Sequence, residues 1–124
     1  MRVVDTSAWI ELLIELPTGK IVEKHFPPQS EIIVPTIVQL ELAKWLTREM
    51  GEDQSDSAIA YTQNCAVVPL DTKIALLAAE LGAKHKLATA DSIVYATAMS
   101  LGAEVLTCDA HFVGLDNVRV LQKA

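Results

Sequence analysis

Residues 87–112 read LATADSIVYATAMSLGAEVLTCDAHF. Thr89 opens an Ala-rich helical stretch that carries one acid, Asp91, in its first turn and closes at Gly102. Glu104 to Thr107 follows as a short strand that ends on Cys108 and Asp109. A helix feeding directly into a strand is the repeating step of an alternating α/β fold. Helices between strands favour right-handed crossovers and a parallel sheet.

The same alternation extends toward the N-terminus. Val3-Val4 reads as a very short buried strand ending on Asp5, with Thr6 and Ser7 as N-cap types for a helix from about Ser7 to Leu16. Pro17-Thr18-Gly19 reads as a break, a short helix through Ile21, Val22 and Phe26 follows, and Pro27-Pro28-Gln29-Ser30 reads as a loop. Ile32-Ile33-Val34 is the second predicted strand, ended by Pro35. Thr36 is placed to cap a long helix reaching about Met50, with Val38, Leu42, Trp45 and Leu46 at helical spacing. A weaker helix over Asp53–Asn64 leads to a strand at Val67-Val68, and Asp71 is a capping residue for the next helix. That helix is expected to run from Ile74 to Leu81 and stop at Gly82, leaving Ala83-Lys84-His85-Lys86 as a linker. A last strand is expected at Val118–Leu121, after a turn with His111 and Phe112. The expected architecture is one α/β domain over residues 1–124, with a short, mostly parallel, twisted sheet of four to five strands flanked by helices.

Composition narrows the function classes. Apolar residues make up 51% of the chain but aromatics only 5%, which predicts an aliphatic core. No apolar run approaches the ~20 residues that span a bilayer, and MRVVDTSAWI is too acidic too early for a signal peptide. A cytoplasmic protein is expected. Cys65 and Cys108 lie far apart and match no CxxC or zinc pattern, so reduced, part-buried thiols are expected. A formal charge of −6 argues against a broad basic nucleic-acid surface, though not against an enzyme that brings metal ions to a phosphate.

Four acids, Asp5, Glu41, Asp91 and Asp109, stand at or within about a turn of strand-to-helix junctions. In a parallel sheet the carboxyl ends of the strands share one edge, where ligands bind. Carboxylates meeting there would repel by about 4 kcal/mol per pair at ~4 Å and an effective dielectric near 20, which favours an intervening divalent cation. Each acid also has a local explanation. Asp5, Asp91 and Asp109 suit caps or turns, and Glu41 could pair with Lys44 one turn on, worth only ~0.2–0.5 kcal/mol. Position alone leaves both readings open.

Three segments carry a resemblance: VVDTSAWIELL at 3–13, IVQLELAKWL at 37–46, and the stretch 87–112 quoted above. In this order and spacing the chain resembles, over essentially its full length, the PIN-domain ribonucleases, in particular the small VapC-like toxins of toxin–antitoxin pairs. The resemblance implies metal-binding acids at Asp5, Glu41, Asp91 and Asp109, with Ser7 and Thr107 as supporting hydroxyls. Asp5 and Asp91 are then the first choices as direct ligands, with Glu41 and Asp109 completing the pocket directly or through water. Hard oxygen ligands select Mg²⁺ or Mn²⁺. The implied reaction is hydrolysis of an RNA phosphodiester by metal-activated water, leaving a 5′-phosphate. A homodimer and a cognate antitoxin are implied as well.

Two positions depart from the family pattern: Cys108 stands where relatives are often basic, and His111 where some carry a further acid. Lys44, Lys84 and Lys86 are candidate RNA contacts, with Arg48 more readily a solvated helix charge. Trp9, Phe26 and Trp45 fit either a partner surface or the core. Rival functions are a non-catalytic PIN-like binding module and a metal-dependent phosphatase or phosphotransfer domain. Thr6-Ser7 after Asp5 lacks the second acid that the phosphoryl-transfer classes require, and a binding module would be expected to have lost acids.

Overall fold

β1 (Arg2–Val4) lies in the middle of a five-stranded sheet in the computed structural model, which describes residues 1–14 and 16–124. β2 (Ile32–Pro35), β3 (Ala66–Val68), β4 (Glu104–Thr107) and β5 (Val118–Val120) complete the order β3-β2-β1-β4-β5, and every pairing is parallel. The sheet is thus at the upper end of the expected strand number and wholly parallel. Its central strands are runs of Val, Ile and Leu because both faces are covered; Val3, Val4, Val34, Val105 and Leu106 are fully buried.

Among the described residues six helices flank the sheet: α1 (Thr6–Ile14), α2 (Pro17–His25), α3 (Thr36–Glu49), α4 (Glu52–Gln63), α5 (Thr72–His85) and α6 (Thr89–Ser100). α6 packs against β1, β2, β4 and α5, and it is buried without interruption from Ser92 to Ala98. Covered on both sides, it has no need of a polar stripe, which explains its Ala-rich, weakly amphipathic sequence.

The expected boundaries shift in four places. The predicted end of the first helix at Leu16 crosses residue 15, outside the described residues; α1 is described to Ile14, and Leu16 is already the N-cap of α2. Pro17 therefore opens a helix rather than breaking one, at the first helical position where its missing N–H costs nothing. Thr36 does not cap α3. It is the first helical residue, Pro35 stands at the N-cap, and the Thr36 hydroxyl accepts from the Leu70 N–H at 3.4 Å. Gly82 does not end α5, which continues to His85, with Lys86 in the left-handed conformation at its C-cap (φ 56°). A Cβ on Gly82 would meet the Ser92 side chain, so the glycine marks a close approach of α5 to α6. The expected loop at 27–30 contains a 3-10 turn, Gln29–Glu31.

Asp71 caps α5 as expected, accepting from the Ile74 N–H at 2.9 Å. Trp9 is core: it is 3% exposed and meets the rings of Phe26 and Tyr61 edge-on, with centroids 4.9 and 5.9 Å away. Among the described residues no helix is long and apolar enough to cross a membrane.

Candidate active site

The sheet reverses direction of growth at β1: β2 and β3 lie on one side, β4 and β5 on the other. The crevice outside the carboxyl ends of the strands at such a switch point is where open α/β sheets bind ligands. Asp5 follows β1 directly, and Asp109 stands two residues beyond β4. The Asp5 N–H extends the ladder by donating to the Leu106 carbonyl at 2.9 Å, so the two strand ends are in register at this edge. α6 begins here with Asp91 in its first turn, and α3 leaves β2 with Glu41 one turn in.

Two hydroxyls tie Asp5 to the β4 end. Ser7 and Thr107 each donate to Asp5 Oδ2 at 2.8 Å. The same oxygens accept from the following chain, Ser7 Oγ from the Cys108 N–H at 3.0 Å and Thr107 Oγ1 from the Asp109 N–H at 2.9 Å. Each hydroxyl thus spends its proton on the acid and a lone pair on the backbone that carries Asp109. Ser7 is accordingly a brace between strand ends rather than a helix cap. The Asp5 carbonyl receives the first N–H groups of α1, from Ala8 and Trp9.

The other acids are held in different ways. Glu41 Oε1 accepts from the Thr6 hydroxyl at 2.7 Å. Among the described residues it forms no ion pair with Lys44, so the expected helix-surface pairing is absent. Lys44 is exposed and lines, with Thr6, Glu41 and Arg48, a groove of about 380 Å³ beside the acids. Asp109 Oδ1 accepts from the His111 N–H at 2.9 Å, so its turn-forming role is present too, and the His111 ring Nδ1 lies 2.8 Å from the same oxygen. Lys84 and Lys86 are exposed at the C-terminal end of α5.

The electrostatics record the convergence. Asp5 is 4% exposed, and burial raises its pKa against the pull of the Thr107 and Ser7 hydroxyls, with Asp109 adding repulsion. Asp91 is pushed up to about 6, first by burial, then by the charges of Asp109 and Asp5, with His111 pulling it down and Glu41 pushing it up. Every acid in the set therefore acts on Asp91, and no Lys or Arg contributes. Such a cluster is unfavourable by itself and suits a hard divalent cation, because its donors are carboxylate oxygens and hydroxyls. Among the described residues, Asp91, Asp109 and His111 form a trio with ligand atoms within 4.8 Å of one another. Cys108 is buried, and its thiol is pushed up to about 11, first by burial and then by Glu11, so it is an unreactive neighbour.

A family model for the PIN domain matches residues 2–118. The chain belongs to the PIN-domain family. Solved structures share the fold over nearly the full length. A toxin–antitoxin complex from Klebsiella pneumoniae superposes with a TM-score of 0.83 at 22% identity, covering 99% of this chain and 100% of the other. VapC20 from Mycobacterium tuberculosis, described as a sarcin–ricin loop cleaving toxin, gives 0.78 at 20% identity over 96% and 99%. A DNA-bound VapBC complex from Salmonella typhimurium gives 0.75 at 16% identity over 98% and 96%. No curated protein matches the chain in sequence.

Two features of this PIN domain escaped sequence reasoning. Thr6 looked like a capping residue, yet its hydroxyl reaches 35 positions along the chain to Glu41. His111 stood out only as a departure, and its ring contact with Asp109 required the turn geometry of Ala110–Phe112.

Proposed function

We propose that this PIN domain is a Mg²⁺- or Mn²⁺-dependent endoribonuclease and the toxin of a toxin–antitoxin pair. The observation that carries the reading is Asp91, a carboxyl held near 6 by burial and three neighbouring acids with no Lys or Arg to relieve them. Asp5, Glu41, Asp91 and Asp109 would hold the ion. Bound there, a divalent cation lowers the pKa of water and offsets charge on the scissile phosphate. The chain's own groups prepare the site. Ser7 and Thr107 fix the Asp5 carboxylate, Thr6 fixes Glu41, and the shared sheet edge keeps the acids together while RNA enters. Lys44, exposed in the groove beside Glu41, would meet the RNA backbone, with Lys84 and Lys86 as further phosphate contacts.

The structural likenesses to toxin–antitoxin complexes and to a sarcin–ricin loop cleaving toxin support the toxin role and an antitoxin partner. A homodimer acting in the cytoplasm is part of the same proposal. Exposed Leu40, Leu70 and Leu76 offer apolar surface for association. Inducible expression tests the reading: growth should arrest, new 5′-phosphate RNA ends should appear, and a co-expressed cognate antitoxin should relieve both. Asp5→Asn should be harmless. Arrest by the variant equal to that by the wild type, with no new RNA ends, contradicts the nuclease and leaves a binding module.

A further inference from the structure

Asp109 Oδ1 accepts from the backbone N–H of His111 at 2.9 Å, and the ring Nδ1 of the same residue lies 2.8 Å from that oxygen. A neutral imidazole carries its proton on one ring nitrogen and presents a lone pair at the other. The ligand atoms of Asp91, Asp109 and His111 fall within 4.8 Å of one another, so modest side-chain rotation would let one ion with bonds of about 2.0–2.3 Å reach all three. The His111 side chain is 82% exposed, so little packing opposes that rotation. The turn itself does not require the ring, since the backbone N–H of His111 already closes the Asp109 cap.

We propose that His111 is a nitrogen ligand of the divalent cation, and that the Asp91–Asp109–His111 set biases this site toward Mn²⁺ and other first-row transition ions over Mg²⁺. The inference rests on the reading of the acids as a metal site. Its chemical basis is that imidazole suits transition ions, whereas Mg²⁺ prefers an oxygen-only octahedron.

The test loads the full chain with Mn²⁺ and looks for nitrogen coupling to the metal by electron spin-echo envelope modulation, with calorimetric titrations of Mn²⁺ and Mg²⁺ alongside. Wild type should show nitrogen modulation, and His111→Gln should lose it. In that variant Mn²⁺ affinity should fall by roughly 10-fold, with Mg²⁺ affinity far less affected. His111→Asp, which supplies an oxygen instead, should bind both ions without nitrogen modulation and with a smaller preference for Mn²⁺. Mn²⁺ bound to wild type without nitrogen modulation, or modulation that survives in His111→Gln, overturns the role of His111 and leaves the acids standing as a metal site. Failure of wild type to bind either ion overturns both.

Discussion

Asp91 carries a pH signature that separates a metal site from an ordinary helix cap. Its carboxyl titrates near 6 in the folded protein, raised from an ordinary value of 3.8. Below about pH 4 both folded and unfolded states are protonated; between about 4 and 6 the folded state keeps a proton that the unfolded chain has lost. Stability therefore falls as the pH rises through that window, and the raised pKa of Asp5 acts in the same direction. The metal-free protein should melt at a higher temperature near pH 5 than near pH 7.5, and Asp91→Asn should narrow the gap. Saturating Mn²⁺ near pH 7.5 should restore stability, because the ion binds the folded state alone. A melting temperature in chelator that rises between those two pH values would contradict the assignment. The hydroxyl brace makes a second claim at this scale. Thr107→Val removes a donor from Asp5 and an acceptor from the Asp109 N–H, and should cost about 1–3 kcal/mol in denaturant melts. Thr107→Ser, which keeps the hydroxyl, should lose much less; equal losses would show that the hydroxyl is not what matters. The sequence displayed these residues as types but not as partners. A hydroxyl beside a helix start looks the same whether it caps the helix or, like Thr6, reaches a distant acid.

Elements were legible where hydrophobic period and punctuation agreed. The valine and isoleucine strands and the helix carrying Asp91 fell where the sequence put them, because a parallel strand covered on both faces leaves a continuous apolar run. Punctuation misled where one residue type has two uses. Pro17 serves as a helix opener as readily as a breaker, and Gly82 sits inside α5 for closeness to α6 rather than for a turn. An exposed helical glycine would gain roughly 1 kcal/mol on replacement by alanine. At Gly82 the new Cβ would collide with the buried Ser92 Oγ, so Gly82→Ala should instead destabilise by about 1–3 kcal/mol. Adding Ser92→Ala should recover part of that loss in thermal melts. A Gly82→Ala protein more stable than wild type would return Gly82 to the role of a simple helix residue.

At the scale of the whole molecule, the wholly parallel sheet gathers the acids. Asp5 and Asp109 are 104 positions apart, yet the adjacent carboxyl ends of β1 and β4 bring them within each other's field. The sequence made this convergence reachable through alternation alone, since one sheet edge collects every strand end. It could not give strand order, and strand order is what puts the switch point between Asp5 and Asp109. The central claim is that these four acids form one metal-dependent RNA-cleaving centre. Its most direct test is RNA cleavage by the purified protein in Mn²⁺ or Mg²⁺, with and without chelator, beside Asp5→Asn and Asp91→Asn proteins shown to be folded. Cleavage should require the metal, and each variant should lose roughly 100-fold or more in rate. Chelator-resistant cleavage, or equal rates in wild type and both variants, would contradict it.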